Sequence, residues 1–229
     1  MKNILLLLLI PGLLSAQNRQ IVEATSNEDV STKVSQIMQY VFPEFREGNV
    51  YFLDRSKTGG ILNYNKLAGE MQFVDENAII WALNVKDVSV VVIDNRKFYP
   101  YRKKQFTEEL YSTGSCFLRV KYETSVTQQG KKGAYGMSSS TTAITTYSPP
   151  DAKRYDISET SDVIVSDNCI YYLVGTNGKH RHIQNLYSFT KQFPKYKSQI
   201  IEFAVEHKIQ FNDRDDLIKL LKYCGELSN

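Results

Sequence analysis

Cysteine is scarce in this chain. The three present are Cys116, Cys169 and Cys224. An odd count excludes a fully paired disulfide framework, and no Cys-x-x-Cys spacing is present to hold zinc or run thiol exchange. Histidine is equally sparse, and proline and glycine, at 6 and 12, are too few for a collagen-like or low-complexity chain. Charge of one sign is also lacking: 28 basic against 25 acidic residues leave no footprint of a dedicated nucleic-acid binder. No P-loop, dinucleotide fingerprint, Gly-x-Ser-x-Gly or His-Glu-x-x-His occurs. Apolar residues make up 42% of 229, enough to fold, so a disordered chain is excluded as well.

The chain opens with Lys2, an apolar run from Ile4 to Ile10, and a small-residue exit at Ser15-Ala16. That pattern predicts a signal peptide over residues 1–16. The run is shorter than the roughly 20 residues that span a bilayer. The expectation is an exported protein, periplasmic or extracellular, with no transmembrane segment after cleavage. In such a compartment Cys116 and Cys169, both at strand-like positions, are a candidate pair. The alternative is three buried small hydrophobes.

Residues 17–47 read as a polar stretch and then a helix, with Ser26 as its cap and Val30, Val34, Ile37, Met38 and Val41 as one stripe. From residue 48 to 183 the period changes to two. Short candidate strands are Asn49–Asp54, Ile61–Tyr64, Glu70–Val74, Ile79–Leu83, Val88–Ile93 and Lys97–Tyr101, with more over Glu108–Glu123, Val163–Val165, Cys169–Val174 and Arg181–Ile183. Asp94-Asn95 and Asn177-Gly178 suit tight hairpin turns. Within this region residues 124–148 hold eleven Ser or Thr, a Ser/Thr-rich hairpin or loop. Residues 184–229 read as short helices around Leu186–Phe193, Ile200–Val205 and Leu217–Leu221, with Gly225 just past the last. The fold class expected is α+β: an N-terminal helix, an antiparallel β-meander (sandwich, barrel or rolled sheet) and C-terminal helices.

This layout resembles a family of uncharacterised exported proteins of Bacteroidota. The likeness is carried by Gly48–Phe52, Leu62–Asn65, Gly69–Phe73, Asn95–Tyr99, Ala134–Gly136 and Phe211–Leu220. The resemblance implies export and covers nearly the whole chain after residue 16. It implies no activity, and no catalytic residue is carried over from it.

Three short matches imitate the serine β-lactamase set: Ser188–Lys191 (S-x-x-K), Ser166–Asn168 (S-D-N) and Lys57–Gly59 (K-T-G). Their chain order is reversed, which no rotation of the termini restores. His180 and His182 form an H-x-H whose rings share a strand face, a weak candidate for two metal ligands without a third. Asp213, Asp215 and Asp216 fit the first turn of a helix, where acids are stabilised. The segment Tyr99, Tyr101, Arg102, Lys103 and Lys104 is aromatic and basic, and with Lys131 and Lys132 it suits a polyanion or a sugar face. The competing reading is an edge strand guarded by Lys and Pro. The sequence therefore predicts a non-enzymatic binding or structural component of the cell envelope, with an envelope protein or anionic polymer as partner. No cofactor and no nucleic acid are expected. The alternative is a hydrolase of an envelope polymer whose site is assembled from distant residues.

Overall fold

The computed structural model describes residues 19–24, 34–114, 116–128 and 161–228. Eleven strands form one open antiparallel sheet: β1 (Arg19–Ala24), β2 (Arg46–Phe52), β3 (Lys57–Asn65), β4 (Glu70–Val74), β5 (Ile80–Ala82), β6 (Val88–Ile93), β7 (Arg96–Tyr101), β8 (Gln105–Thr113), β9 (Cys116–Gln128), β10 (Ser161–Gly175) and β11 (His180–His182). The spatial order is β5-β4-β3-β2-β6-β7-β8-β9-β10-β1, and β11 shares the β10 edge with β1. Two meanders, β2 to β5 and β6 to β10, thus lie back to back, joined where β6 pairs with β2. β5 and β1 end the sheet without meeting, so it is not a closed barrel.

Local chemistry sets the turns. Asp94 and Asn95, between β6 and β7, both take positive φ, 48° and 64°, as a type I′ hairpin requires. Pro100 sits inside the sheet without loss. The β6–β7 ladder stops at Phe98, so the missing N–H of Pro100 has no strand to serve on that side.

Several expectations need correction. β7 has β6 on one side and β8 on the other, so residues 97–104 are not a guarded edge strand. The polar stretch near residue 20 holds β1, which pairs with the 161–166 half of β10. Val163–Val165 and Cys169–Val174 are parts of one 15-residue strand. Of the N-terminal helix, the described residues hold only α1, Gln36–Gln39, and residues 25–33 lie outside them. Of the expected stripe, Val34 and Met38 are buried and Val41 is half-buried, but Ile37 is 66% exposed. Cys116 and Cys169 do not pair. Cys116 faces Gly175 of β10 across the ladder whereas Cys169 lies six residues earlier on that strand, about 20 Å away at strand rise.

One face of the sheet carries the interior. A single register row runs Val50, Val91, Phe98, Glu108, Val120, Tyr171 across β2, β6, β7, β8, β9 and β10. Every member is buried, and Glu108 is the one charge among them. On the β2 side the core is aromatic and aliphatic, with Phe42, Leu62, Tyr64, Met71, Ile93 and Phe106. The sheet curls here: Tyr64 meets Phe106 at 6.3 Å, and Lys66, in the β3–β4 turn, reaches Asp167 of β10 at 2.7 Å.

On the β10 side the same face is covered by α2 (Leu186–Thr190), a 3₁₀ turn (Pro194–Tyr196), α3 (Lys197–Glu206) and α4 (Arg214–Glu226). Phe189, Ile200, Ala204, Leu217, Leu220 and Leu221 bury against Cys116, Leu118 and Leu173. Gly225 lies inside α4 rather than past it, because α4 crosses Thr113 closely: a Cβ there would sit 3.0 Å from the threonine methyl. Among the described residues no helix is long and apolar enough to cross a membrane.

Candidate functional site

The opposite face of the sheet is not apolar. Its register row runs Lys97, Glu109, Arg119, Tyr172, His182 across β7, β8, β9, β10 and β11. Strict alternation puts these side chains outward while their neighbours fill the core. The turn over 176–179 folds β11 back, which brings His180 and His182 beside Tyr172, each at 5.7 Å between ring centroids.

Tyr101 closes the cluster. Its ring lies 4.6 Å from His180 and 5.4 Å from Tyr172. Two guanidiniums sit on this aromatic surface: Arg102 lies 5.2 Å above Tyr101, and Arg119 lies 3.8 Å above Tyr99. Such stacking holds a cation on a ring face and fixes its direction. Arg119 is also 3.5 Å from Glu109. Burial works against the Arg119 charge, and Glu109 offsets part of that cost.

Burial shifts the His180 pKa below its ordinary value; the hydrogen bond to Gly178 works the other way, and the charges of Arg119 and Arg102 lower it further. The His180 Nδ1 lies 3.0 Å from the carbonyl oxygen of Gly178. A carbonyl only accepts, so Nδ1 carries the proton and Nε2 is left with a lone pair. That Nε2, Nε of Arg119 and Oγ1 of Thr107 are buried and have no hydrogen-bond partner among the described residues. An imidazole acceptor, a guanidinium donor and a hydroxyl that can do either are thus unmatched, and a buried polar atom without a partner costs stability.

Of the sequence candidates, Tyr99, Tyr101 and Arg102 belong to this surface, and Lys103 is exposed next to Arg102 in the β7–β8 turn. Lys104 turns toward Glu70 of β4, at 3.7 Å. Lys131 and Lys132 lie outside the described residues. His180 and His182 join the aromatic cluster, and among the described residues no group of three His, Cys, Asp or Glu is placed to hold a metal. The β-lactamase-like matches scatter over α2, β10 and β3, with Ser188 spent on capping α2 against Asn185. Asp213 caps α4, accepting from the backbone N–H of Asp215 and Asp216 at 2.9 Å each.

Arg119, Tyr172 and Glu109 escaped the sequence reading. Each stands in a strand whose partners are set by register, and the antiparallel pairing of β7 to β10 brings Arg119 and Glu109 beside Tyr99 and Tyr172 beside Tyr101. Alternation of Phe117, Arg119 and Lys121 was the one available signal. Chemically, the surface offers flat rings for a sugar face or a second aromatic, and guanidiniums for acidic groups. Comparison with protein-family models, with curated proteins and with solved structures finds no match to this chain.

Proposed function

We propose that the protein is an exported, non-enzymatic component of the cell envelope that holds an anionic, sugar-containing polymer on the face built from Tyr99, Tyr101, Arg102, Arg119, Tyr172 and His180. Export is supported by the leader-like residues 1–16. The binding reading is supported by one observation above all: three clustered rings, Tyr101, Tyr172 and His180, tilted or edge-on to one another, with two guanidiniums laid on Tyr101 and Tyr99. Rings supply sequence-tolerant stacking on successive sugars, and the cations select acidic ones over neutral ones.

The test is binding of residues 17–229 to immobilised uronic-acid polysaccharide and to neutral dextran. Expected is retention on the acidic polymer that weakens with salt, because exposed charges are screened within about 10 Å at 0.1 M. The double variant Tyr101→Ala, Tyr172→Ala is expected to lose at least about tenfold, which is roughly 1.4 kcal/mol of stacking. Equal retention of the double variant, or equal affinity for dextran, sinks the reading.

A further inference from the structure

On the buried face, where the two cores meet, a cavity of about 260 Å³ opens between the segment ending at Val41 and strands β7, β9 and β10. Its wall is made by Val41, Lys66, Arg96, Tyr122, Asp167 and Cys169. It lies on the other side of the sheet from the Tyr101 surface and depends on nothing proposed for that surface.

Two fixed cations stand in this wall. Arg96 donates from Nε and Nη2 to the two oxygens of Glu108, at 2.7 and 2.6 Å, and from Nη2 to the Tyr122 hydroxyl at 3.2 Å. Its guanidinium also lies 4.5 Å over Phe42 and 5.6 Å over Phe98. These contacts commit one edge of the guanidinium and hold it against two neighbouring rings, Phe42 and Phe98. No described residue accepts from its Nη1. Lys66 is nine-tenths buried, and its Nζ donates to the Ile37 carbonyl and to Asp167, each at 2.7 Å. An ammonium has three hydrogens, so one is uncommitted. Both cations are therefore held in place with donor capacity left over, a pre-organised arrangement that loses little freedom when a ligand arrives.

We propose that this cavity is a binding site for a small organic monocarboxylate, held by Arg96 and Lys66. Lys66 answers Asp167 and Arg96 answers Glu108 one for one, and the donor each keeps is one of two that the two oxygens of a single carboxylate can accept. The uncommitted end of a guanidinium already gripped by Glu108 presents one nitrogen, which matches one carboxylate oxygen, and the Lys66 ammonium serves the other. Val41 and the edge of Tyr122 give the remainder of the ligand an apolar wall. The volume falls just under the roughly 300 Å³ at which drug-sized pockets begin, so the ligand is of metabolite size.

Cys169 makes the site testable. It is the exposed cysteine, whereas Cys116 and Cys224 are buried, and it stands in the cavity wall. Surrounding atoms first, and Asp167 second, push its thiol up, so alkylation is run at mildly alkaline pH. The experiment follows iodoacetamide modification of the folded protein, residues 17–229, by peptide mass spectrometry in the presence of benzoate, its neutral isostere benzamide, or phosphate. Benzoate is expected to slow Cys169 alkylation saturably, by about threefold at twice its dissociation constant, since a third of the sites then stay open. Benzamide and phosphate are expected to leave the rate unchanged. No slowing by benzoate overturns the proposal. Equal slowing by benzamide overturns the role of charge, and equal slowing by phosphate overturns the choice of carboxylate. Arg96→Lys keeps a cation beside Glu108 but shortens its reach and removes Nη1, and it is expected to abolish protection. Full protection in that variant would take Arg96 out of the site. Should Arg96→Lys not fold, the three probes on the native chain still decide.

Discussion

Arg96 grips Glu108 with two parallel hydrogen bonds of 2.7 and 2.6 Å, at the line where the β2-side and β10-side cores meet. Glu108 is 1% exposed. Burial disfavours the Arg96 charge, but Glu108 outweighs that cost and its pKa is raised. The Tyr122 hydroxyl donates to the same carboxylate at 2.5 Å. Glu108 is thus the one carboxylate in an otherwise uncharged row, satisfied from two neighbouring strands.

Removing the cation strands that carboxylate. Arg96→Met is expected to cost about 3–5 kcal/mol in urea unfolding, the usual consequence of leaving a buried charge without its partner. Tyr122→Phe removes one hydrogen bond to a charged group and is expected to cost about 1.5–3 kcal/mol. A loss under about 1 kcal/mol for Arg96→Met would mean that water reaches Glu108 in solution.

His180 links stability to acidity. Its folded pKa lies below the ordinary value of 6.5, chiefly through burial. Below 6.5 the unfolded chain takes up a proton that the folded chain refuses, so stability is complete above that pH and declines as pH falls toward the folded value. His180→Gln is expected to flatten the melting-temperature profile across that window. An unchanged slope in the variant would assign the dependence to other groups.

Asp213 fastens the start of α4. Its carboxylate accepts from two backbone N–H groups that otherwise have no partner in the helix. Asp213→Ala is expected to cost about 1 kcal/mol, within the 0.5–2 kcal/mol range of such caps. Asp213→Asn should recover most of it. If both substitutions cost the same in denaturant titration, charge rather than capping dominates.

The three thiols should separate by reactivity. Burial pushes Cys116 up to about 11 and Cys224 up to about 12, so neither is a thiolate in the native protein near neutral pH. Native alkylation is expected to modify Cys169, and unfolding in guanidinium to release the other two. Rapid native labelling of Cys116 would mean that α2 to α4 lift from the sheet.

Much of the sheet was legible because its turns and alternation agree. Glu70–Val74 and Val88–Ile93 are strands at their predicted ends, and Asp94-Asn95 turns as its chemistry requires. The C-terminal helices were legible in place, and Asp213 caps α4 with Leu217, Leu220 and Leu221 buried, but Ile201 and Val205 of α3 face outward. What escaped was long-range. Nothing local to Arg19–Ala24 announces that β10 has a free edge for it, and the insertion of β6 beside β2 is a choice of partner rather than of conformation. Tyr99, Tyr101 and Arg102 stood out as a basic aromatic run, whereas their companions Arg119 and Tyr172 are 17 or more residues away and arrive through register. The Arg96–Glu108 pair was missed because a carboxylate in a strand reads as outward unless its cation is known.

Trp81 is the chain's one tryptophan, and it stands in β5 at the end of the sheet, half exposed, its indole N–H donating to Asp75 at 2.8 Å. The native indole already sits in water, so its emission changes little when the protein comes apart. Intrinsic tryptophan fluorescence would then report the peeling of β5 and stay nearly silent on the collapse of either core. The fifteen tyrosines or far-ultraviolet dichroism are the optical channels that watch the rest of the molecule.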